Sequence, residues 1–200
     1  MKQTRVDKLD AIFESGGQVI RASILSKYKF CSKDIAELIA DGYLVKLKTG
    51  HYIRQTTMAE ISEMELVALL IPQGVISLIS AAQYHNMTTI NPLVISITIP
   101  KDMRTPVLPD HPPISVYKTI RKVYEIGIEV IPMQFAGVKV YDRERTLCDL
   151  FRMRLQIGED VAIEVLKSYM AGAKNLQKLF EYAEILQIKG VLRPYVEALI

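Results

Sequence analysis

The sequence predicts an α+β protein in two parts, and three observations carry that prediction. Three segments with helical apolar spacing and one strand pair turned by glycine crowd into the first 54 residues. Residues 93–141 contain three extended, β-branched runs. Residues 142–199 return to helical spacing without interruption.

The first helix is expected over 4–15, where Val6, Leu9, Ile12 and Phe13 recur on one face and Gly16-Gly17 ends the pattern. Val19-Ile20 is a brief extended step. A second helix is expected from Arg21 to Tyr28, with Ile24, Leu25 and Tyr28 on one face. Ser32 is placed to cap a third, and Asp34 suits the positive end of its dipole. Cys31, Ile35, Leu38 and Ile39 make the inward stripe of that helix, and Gly42 stops it. Residues 43–47 then alternate as a strand does, Thr49-Gly50 turns the chain, and His51-Tyr52-Ile53 returns.

Helix, helix, helix and hairpin in this order make a winged helix-turn-helix. Such a unit lays its third helix in the major groove of DNA and touches the backbone with its hairpin tip. Ser32 and Lys33, at the start of the third helix, are the candidates nearest base edges. Arg21, Ser23, Lys27 and Lys29 flank it from the second helix and the turn. Lys46, Lys48, Thr49, Gly50 and His51 form the wing, with Thr49-Gly50 letting the backbone approach a phosphate. Asp34, Glu37 and Asp41 on the same third helix argue the other way, so a protein-interaction module that docks a partner chain is the alternative.

Charge agrees with the nucleic-acid reading. Residues 1–54 hold ten Lys/Arg against six Asp/Glu, a net +4, whereas 55–200 hold fifteen against sixteen, a net −1. Cys31 and Cys148 are far apart and outside any metal-ligand spacing, which suggests buried thiols in a reducing compartment. The N-terminus has no apolar signal core, and Pro72-Gln73-Gly74 breaks the most apolar stretch, 66–82, into pieces too short to span a membrane. A cytoplasmic protein is expected.

Gln55-Thr56-Thr57 is expected to link a winged helix-turn-helix domain, 1–57, to a mixed α/β domain with a helical C-terminal tail, 58–200. In the second part helices are expected at 62–71 and 77–87. Strands follow at 93–100, 114–120 and within 128–141, and helices at 142–154, 159–171, 175–187 and 191–199. A Pro-rich loop, 105–113, separates the first two strands.

Several side chains invite a catalytic reading that their context does not support. Glu144, Arg145 and Asp149 fit a helix entrance, with Arg145 and Asp149 four residues apart and Glu144 in the first turn. His85, near the end of an apolar helix, fits a hydrogen-bonded packing residue, and His111 lacks partners at ligand spacing. Asp110 and Glu129 imitate a nuclease order, but Ile131 stands where a lysine is needed. Neither a phosphate loop nor a nucleophile elbow is present. No enzyme activity, cofactor or metal is expected. Basic residues Lys101, Arg104, Lys118, Arg121 and Lys122 are expected as a solvated face, the alternative being a secondary contact to DNA or to a toxin's RNA or nucleotide substrate.

Four stretches together resemble the AbiEi antitoxins of bacterial type IV toxin–antitoxin systems. These are the Gly-Gly turn with its helices and the hairpin "DGYLVKLKTGHY", the helix "GVISLISAAQYHNMT" at 74–88, "VISITIPKDMR", and the helix entrance "VYDRERTLCDLFR" at 140–152. The family often has Ser-Pro before Glu-Arg-Thr-Leu, and this chain has Asp142-Arg143 there. The resemblance implies repression of its own operon through the winged helix at inverted repeats in double-stranded operator DNA. It also implies a C-terminal domain that counteracts a nucleotidyltransferase-like toxin without needing a stable complex with it. A chain that is monomeric in solution and pairs on DNA is expected, with repression and antitoxicity separable between the two parts.

Overall fold

The computed structural model of the chain describes residues 2–199, and its fold is α+β, with two sheets and a helical C-terminal tail. Two compact units make it up. The first comprises Met1–Pro72, Pro106–Pro113 and Met133–Ala136; the second comprises Gln73–Thr105, Ile114–Pro132 and Gly137–Ile200.

The first unit contains α1 (Lys2–Gly16), β1 (Val19–Arg21), α2 (Ala22–Lys27), α3 (Ser32–Ala40), β2 (Leu44–Lys48), β3 (His51–Arg54), α4 (Gln55–Glu60) and α5 (Glu63–Leu70). β3 lies between β1 and β2 in an antiparallel sheet, with Ile20 opposite Tyr52 and Val45 opposite Ile53. This is the helix order and strand pairing of a winged helix. Its core gathers Leu9, Ile12 and Phe13 of α1, Leu25, Phe30, Ile35 and Leu38 around α2 and α3, and Ile20 and Leu44 of the sheet. Each buried Leu, Ile or Phe contributes roughly 1.5–3 kcal/mol, so these positions hold the three helices on the sheet.

Four local expectations are corrected here. Cys31, not Ser32, occupies the N-cap of α3, because the extended backbone continues to Cys31, where Asp34 accepts its N–H at 2.9 Å; Ser32 is the first helical residue. Cys31 is exposed, since a cap position lies off the inward stripe. Ile39 is 37% exposed, so Ile35 and Leu38 alone bury α3. Gln55-Thr56-Thr57 is no linker but opens α4, where Thr57 is buried and its hydroxyl meets Gln18 at 3.4 Å.

The boundary expected after residue 57 therefore falls inside the first unit, which continues through α5. Ser62 caps α5 by accepting from the Glu65 N–H, and the Ser62 N–H and hydroxyl both donate to Glu65 Oε2. Glu65 Oε1 accepts the Phe135 N–H at 2.7 Å, which ties residues 133–136 into this unit.

The second unit contains β4 (Val75–Ile76), α6 (Leu78–Tyr84), β5 (Ile95–Pro100), β6 (Ile114–Thr119), α7 (Arg121–Tyr124), β7 (Ile128–Pro132) and β8 (Gly137–Tyr141). Its tail is α8 (Arg143–Arg152), α9 (Arg154–Ile157), α10 (Glu159–Ala171), α11 (Leu176–Ile185) and α12 (Lys189–Glu197). The sheet order is β6-β5-β4-β8-β7, with β5 parallel to β6 and β4 parallel to β8. All six residues of β5 are buried, as expected of a strand covered on both faces. α8 is the hub of the helical core: Leu147, Cys148, Leu150 and Phe151 are fully buried beside Val165, Leu166 and Leu179.

The entrance to α8 has the cap and the ion pair that its spacing predicts. Asp142 caps it, accepting from the Arg145 N–H at 2.7 Å. Arg145 Nε lies 3.0 Å from Asp149 Oδ2. His85 Nε2 meets the Tyr141 carbonyl at 2.7 Å. Gly127 sits against this entrance at φ +74°, where a Cβ would lie 2.8 Å from the Arg145 Cβ and 3.0 Å from Asp142 Oδ2. Gly127→Ala combines a left-handed backbone with a clash that rigid atoms cannot relieve. It is expected to destabilise the protein by about 2–4 kcal/mol, read as a lowered urea midpoint with an unchanged slope; an unchanged midpoint would refute it.

Among the described residues no helix is long and apolar enough to cross a membrane. Nor does any group of three or more His, Cys, Asp or Glu side chains among them converge as a metal site requires.

Candidate nucleic-acid interface

The helix-turn-helix is held by its turn. Phe30 N–H reaches back to the Leu25 carbonyl at 3.1 Å and Lys29 N–H to Ser26 at 2.9 Å, which forces Lys29 to φ +66°. A left-handed backbone costs a non-glycine residue about 1–2 kcal/mol. The turn thus projects a lysine from a position where glycine would be unstrained.

Around this turn the exposed cations are Lys27 in the last turn of α2, Lys29 itself and Lys33 in the first turn of α3; Ser23 and Ser32 are exposed beside them. Arg21, at the N-cap of α2, is also exposed. Two α1 residues join this corner that the sequence reading did not single out. Lys8 Nζ donates to the Tyr28 carbonyl at 2.8 Å and lies over the Phe30 ring. Arg5 lies 2.6 Å from Asp34 and 3.6 Å from Glu37. Their signal was available: Arg5 and Lys8 are three residues apart on α1, each next to a core position, Val6 or Leu9.

Arg5 answers the acidity of α3. Hydrogen bonds from the Cys31 N–H and thiol, and more weakly the charge of Arg5, hold the Asp34 carboxyl below the usual carboxylate range. It stays ionised, tied to the helix start and to Arg5. Ala36 and Ala40 leave the exposed side of α3 narrow, and Ile39 adds an apolar edge to it.

The wing is only partly as expected. Lys46 and Thr49 are exposed, and Gly50 adopts φ +72° at the tip. The Gly50 carbonyl accepts from the Ala22 N–H at 2.8 Å, so the tip is pinned to the start of α2. His51 is half-buried, with Nδ1 3.0 Å from the Thr49 carbonyl.

Lys48 is a correction. Strict alternation would place it beside Lys46 on the exposed face, but the register with β3 shifts between Lys46 and Lys48. That bulge turns Leu47 and Lys48 inward together. Lys48 Nζ donates to the Val107 carbonyl at 3.0 Å and the Leu70 carbonyl at 3.3 Å. Burial, and then the like charge of Arg21, push its ammonium below the ordinary lysine value. It staples residues 106–113 to the first unit and is not available to a phosphate.

Chemically, the exposed set offers cations and hydroxyls around a helix start and a hairpin tip. It holds no paired nucleophile and base.

No protein-family model matches the chain, and no curated protein matches it. Among solved structures it is similar to the crystal structure of the RV2827C protein from Mycobacterium tuberculosis. The identity is 17%, with 95% of this chain and 78% of that chain covered and a TM-score of 0.61. At that identity the likeness concerns the fold.

Proposed function

We propose that this chain is a DNA-binding autorepressor and the antitoxin of a type IV toxin–antitoxin pair, acting in the cytoplasm. In this reading the winged helix binds inverted repeats in its operator, one chain per half-site. The second unit counteracts a nucleotidyltransferase-like toxin, and the protein needs no cofactor and performs no catalysis. The observation that carries the DNA half is the helix-turn-helix corner. Lys27, Lys29 and Lys33 are exposed there, from the end of α2 through the turn to the start of α3, while the Asp34 carboxylate of α3 is engaged by Arg5. The antitoxin half rests on the resemblance of residues 74–88 and 140–152 to that family.

A second reading has its own observation. Glu37 and the exposed Ile39 on α3 suit a protein surface better than a phosphate backbone. Fluorescence anisotropy with the DNA upstream of its own gene, measured across a salt series, separates the two. The expected result is saturable binding that weakens linearly in log salt. Binding that is absent or salt-independent favours protein docking.

The wing supplies an internal control. Lys46→Ala is expected to make the salt slope shallower by about 0.9, one phosphate contact. Lys48→Met is expected to leave the slope unchanged, because its ammonium is already committed to two carbonyls. The reverse pattern would refute this placement of the wing lysines.

A further inference from the structure

The second unit carries a cleft that the DNA-binding reading does not use. Its volume is about 260 Å³, and a smaller one of about 150 Å³ adjoins it, sharing Lys118, Thr119 and Arg152. Together they approach the size of small-ligand sites, roughly 300–1,000 Å³. The position is informative. β5 and β6 are parallel, and the cleft opens where both end, at Lys101 just past β5 and Thr119-Ile120 at the end of β6. The carboxyl ends of neighbouring parallel strands are the usual ligand position in sheets covered by helices.

The lining has two characters. Lys101, Lys118 and Arg152 supply three cations, and no carboxylate lines the larger cleft. Among the described residues, neither the Lys101 nor the Arg152 side chain has a hydrogen bond or an ion pair, and Lys118 donates only to the Met103 carbonyl, at 2.9 Å. Three cations lining one cleft, with a single carboxylate acting on Arg152 alone, repel each other unless an anion enters. Apolar side chains line the cleft too and are accessible, Ile120 at 57% and Ile185 at 46% exposure, and Gln187 adds an amide. The carboxylate of the smaller cleft, Asp149, is paired with Arg145 and also feels the charge of Arg152.

We infer that this cleft binds a nucleoside di- or triphosphate, its phosphates between Lys101, Lys118 and Arg152 and its base against Ile120 and Ile185. Three cations match the charge of a polyphosphate, and an apolar wall with a single amide matches the face and edge of a base. The site is independent of the winged helix and stands or falls without it.

The test is isothermal titration of the full-length chain with ATP, GTP, CTP and UTP, and with inorganic pyrophosphate as the arm that lacks a base. The inference expects at least one nucleotide to saturate below about 1 mM and to bind more tightly than pyrophosphate. Lys101→Ala and Arg152→Ala should each weaken it about ten- to hundredfold, with thermal unfolding unchanged. Lys122→Ala, an exposed cation outside the cleft, should bind as the parent does, and Ile120→Asp should abolish the advantage over pyrophosphate. No saturation by any of the five compounds would overturn the inference. So would equal weakening by Lys122→Ala, or an unchanged affinity in the Lys101→Ala, Arg152→Ala double variant. Pyrophosphate binding as tightly as every nucleotide would remove the base from the assignment and overturn it as stated. Displacement of the nucleotide only by duplex DNA through the winged helix would also overturn it.

Discussion

Arg145→Ala is expected to be the most destabilising single substitution in the second unit. Arg145 is among the most deeply buried side chains of the protein, at 1% exposure. Its guanidinium donates to the Val123 and Ile126 carbonyls, pairs with Asp149, and lies 4.2 Å from the centre of the Tyr141 ring. Truncation leaves two carbonyls and a largely buried carboxylate without their donor at once. Removing one partner of a buried pair costs about 3–5 kcal/mol, a large part of the roughly 5–15 kcal/mol that holds a domain together. Urea unfolding followed by circular dichroism should show the loss as a lowered midpoint. If the single variant is too unstable to purify, Arg145→Met with Asp149→Leu supplies the comparison. It removes both charges and should be more stable than Arg145→Ala alone. A loss below about 1 kcal/mol in the single variant would mean that the network is not what fixes α8.

The largest expected effect on binding comes from the helix-turn-helix corner. A chain carrying Lys27→Ala, Lys29→Gly and Lys33→Ala should bind operator DNA about a hundredfold more weakly at 0.15 M salt, taking roughly 1 kcal/mol for each exposed phosphate contact. Its salt slope should be shallower by about 2.7. The choice of glycine matters, because Lys29 sits at φ +66° and glycine relieves that strain. The triple variant is therefore expected to fold at least as stably as its parent, which separates lost contacts from lost structure. Equal affinity in the two chains would remove α3 and its turn from any contact with DNA.

What could be read in the sequence was what depends on neighbours along the chain. The stripe Leu9, Ile12, Phe13, the Thr49-Gly50 turn, the Asp142 cap and the Arg145–Asp149 pair all obey local spacing, and each is where that spacing puts it. What could not be read depends on distant pairing. Lys48 faces inward because a bulge against β3 breaks the alternation that Lys46 begins. β4 is only two residues long, too short for any periodicity, yet it stands at the centre of its sheet. Gln55–Thr57 looks polar and loose, but Thr57 is buried and extends the first unit. The candidate DNA-facing lysines of α2, the turn and α3 were legible from charge, while the part Arg5 plays beside Asp34 needed the packing of α1 on α3 to be seen.

The first unit is not contiguous in the chain: Pro106–Pro113 and Met133–Ala136 belong to it. One of the two acceptors of the Lys48 ammonium, Val107, and one of the N–H groups that hold Glu65, Phe135, come from those late segments. During synthesis the ribosome must therefore add residues up to Ala136 before the winged helix has all its parts, and most of the second unit's sheet is made in the meantime. Until then the Lys48 ammonium has only the Leu70 carbonyl, and Glu65 only Ser62, of the partners each holds in the finished unit. A nascent chain stalled before residue 106 carries the sequence of the helix-turn-helix corner without the segments that finish its unit, so the two units mature together rather than in the order in which they are encoded.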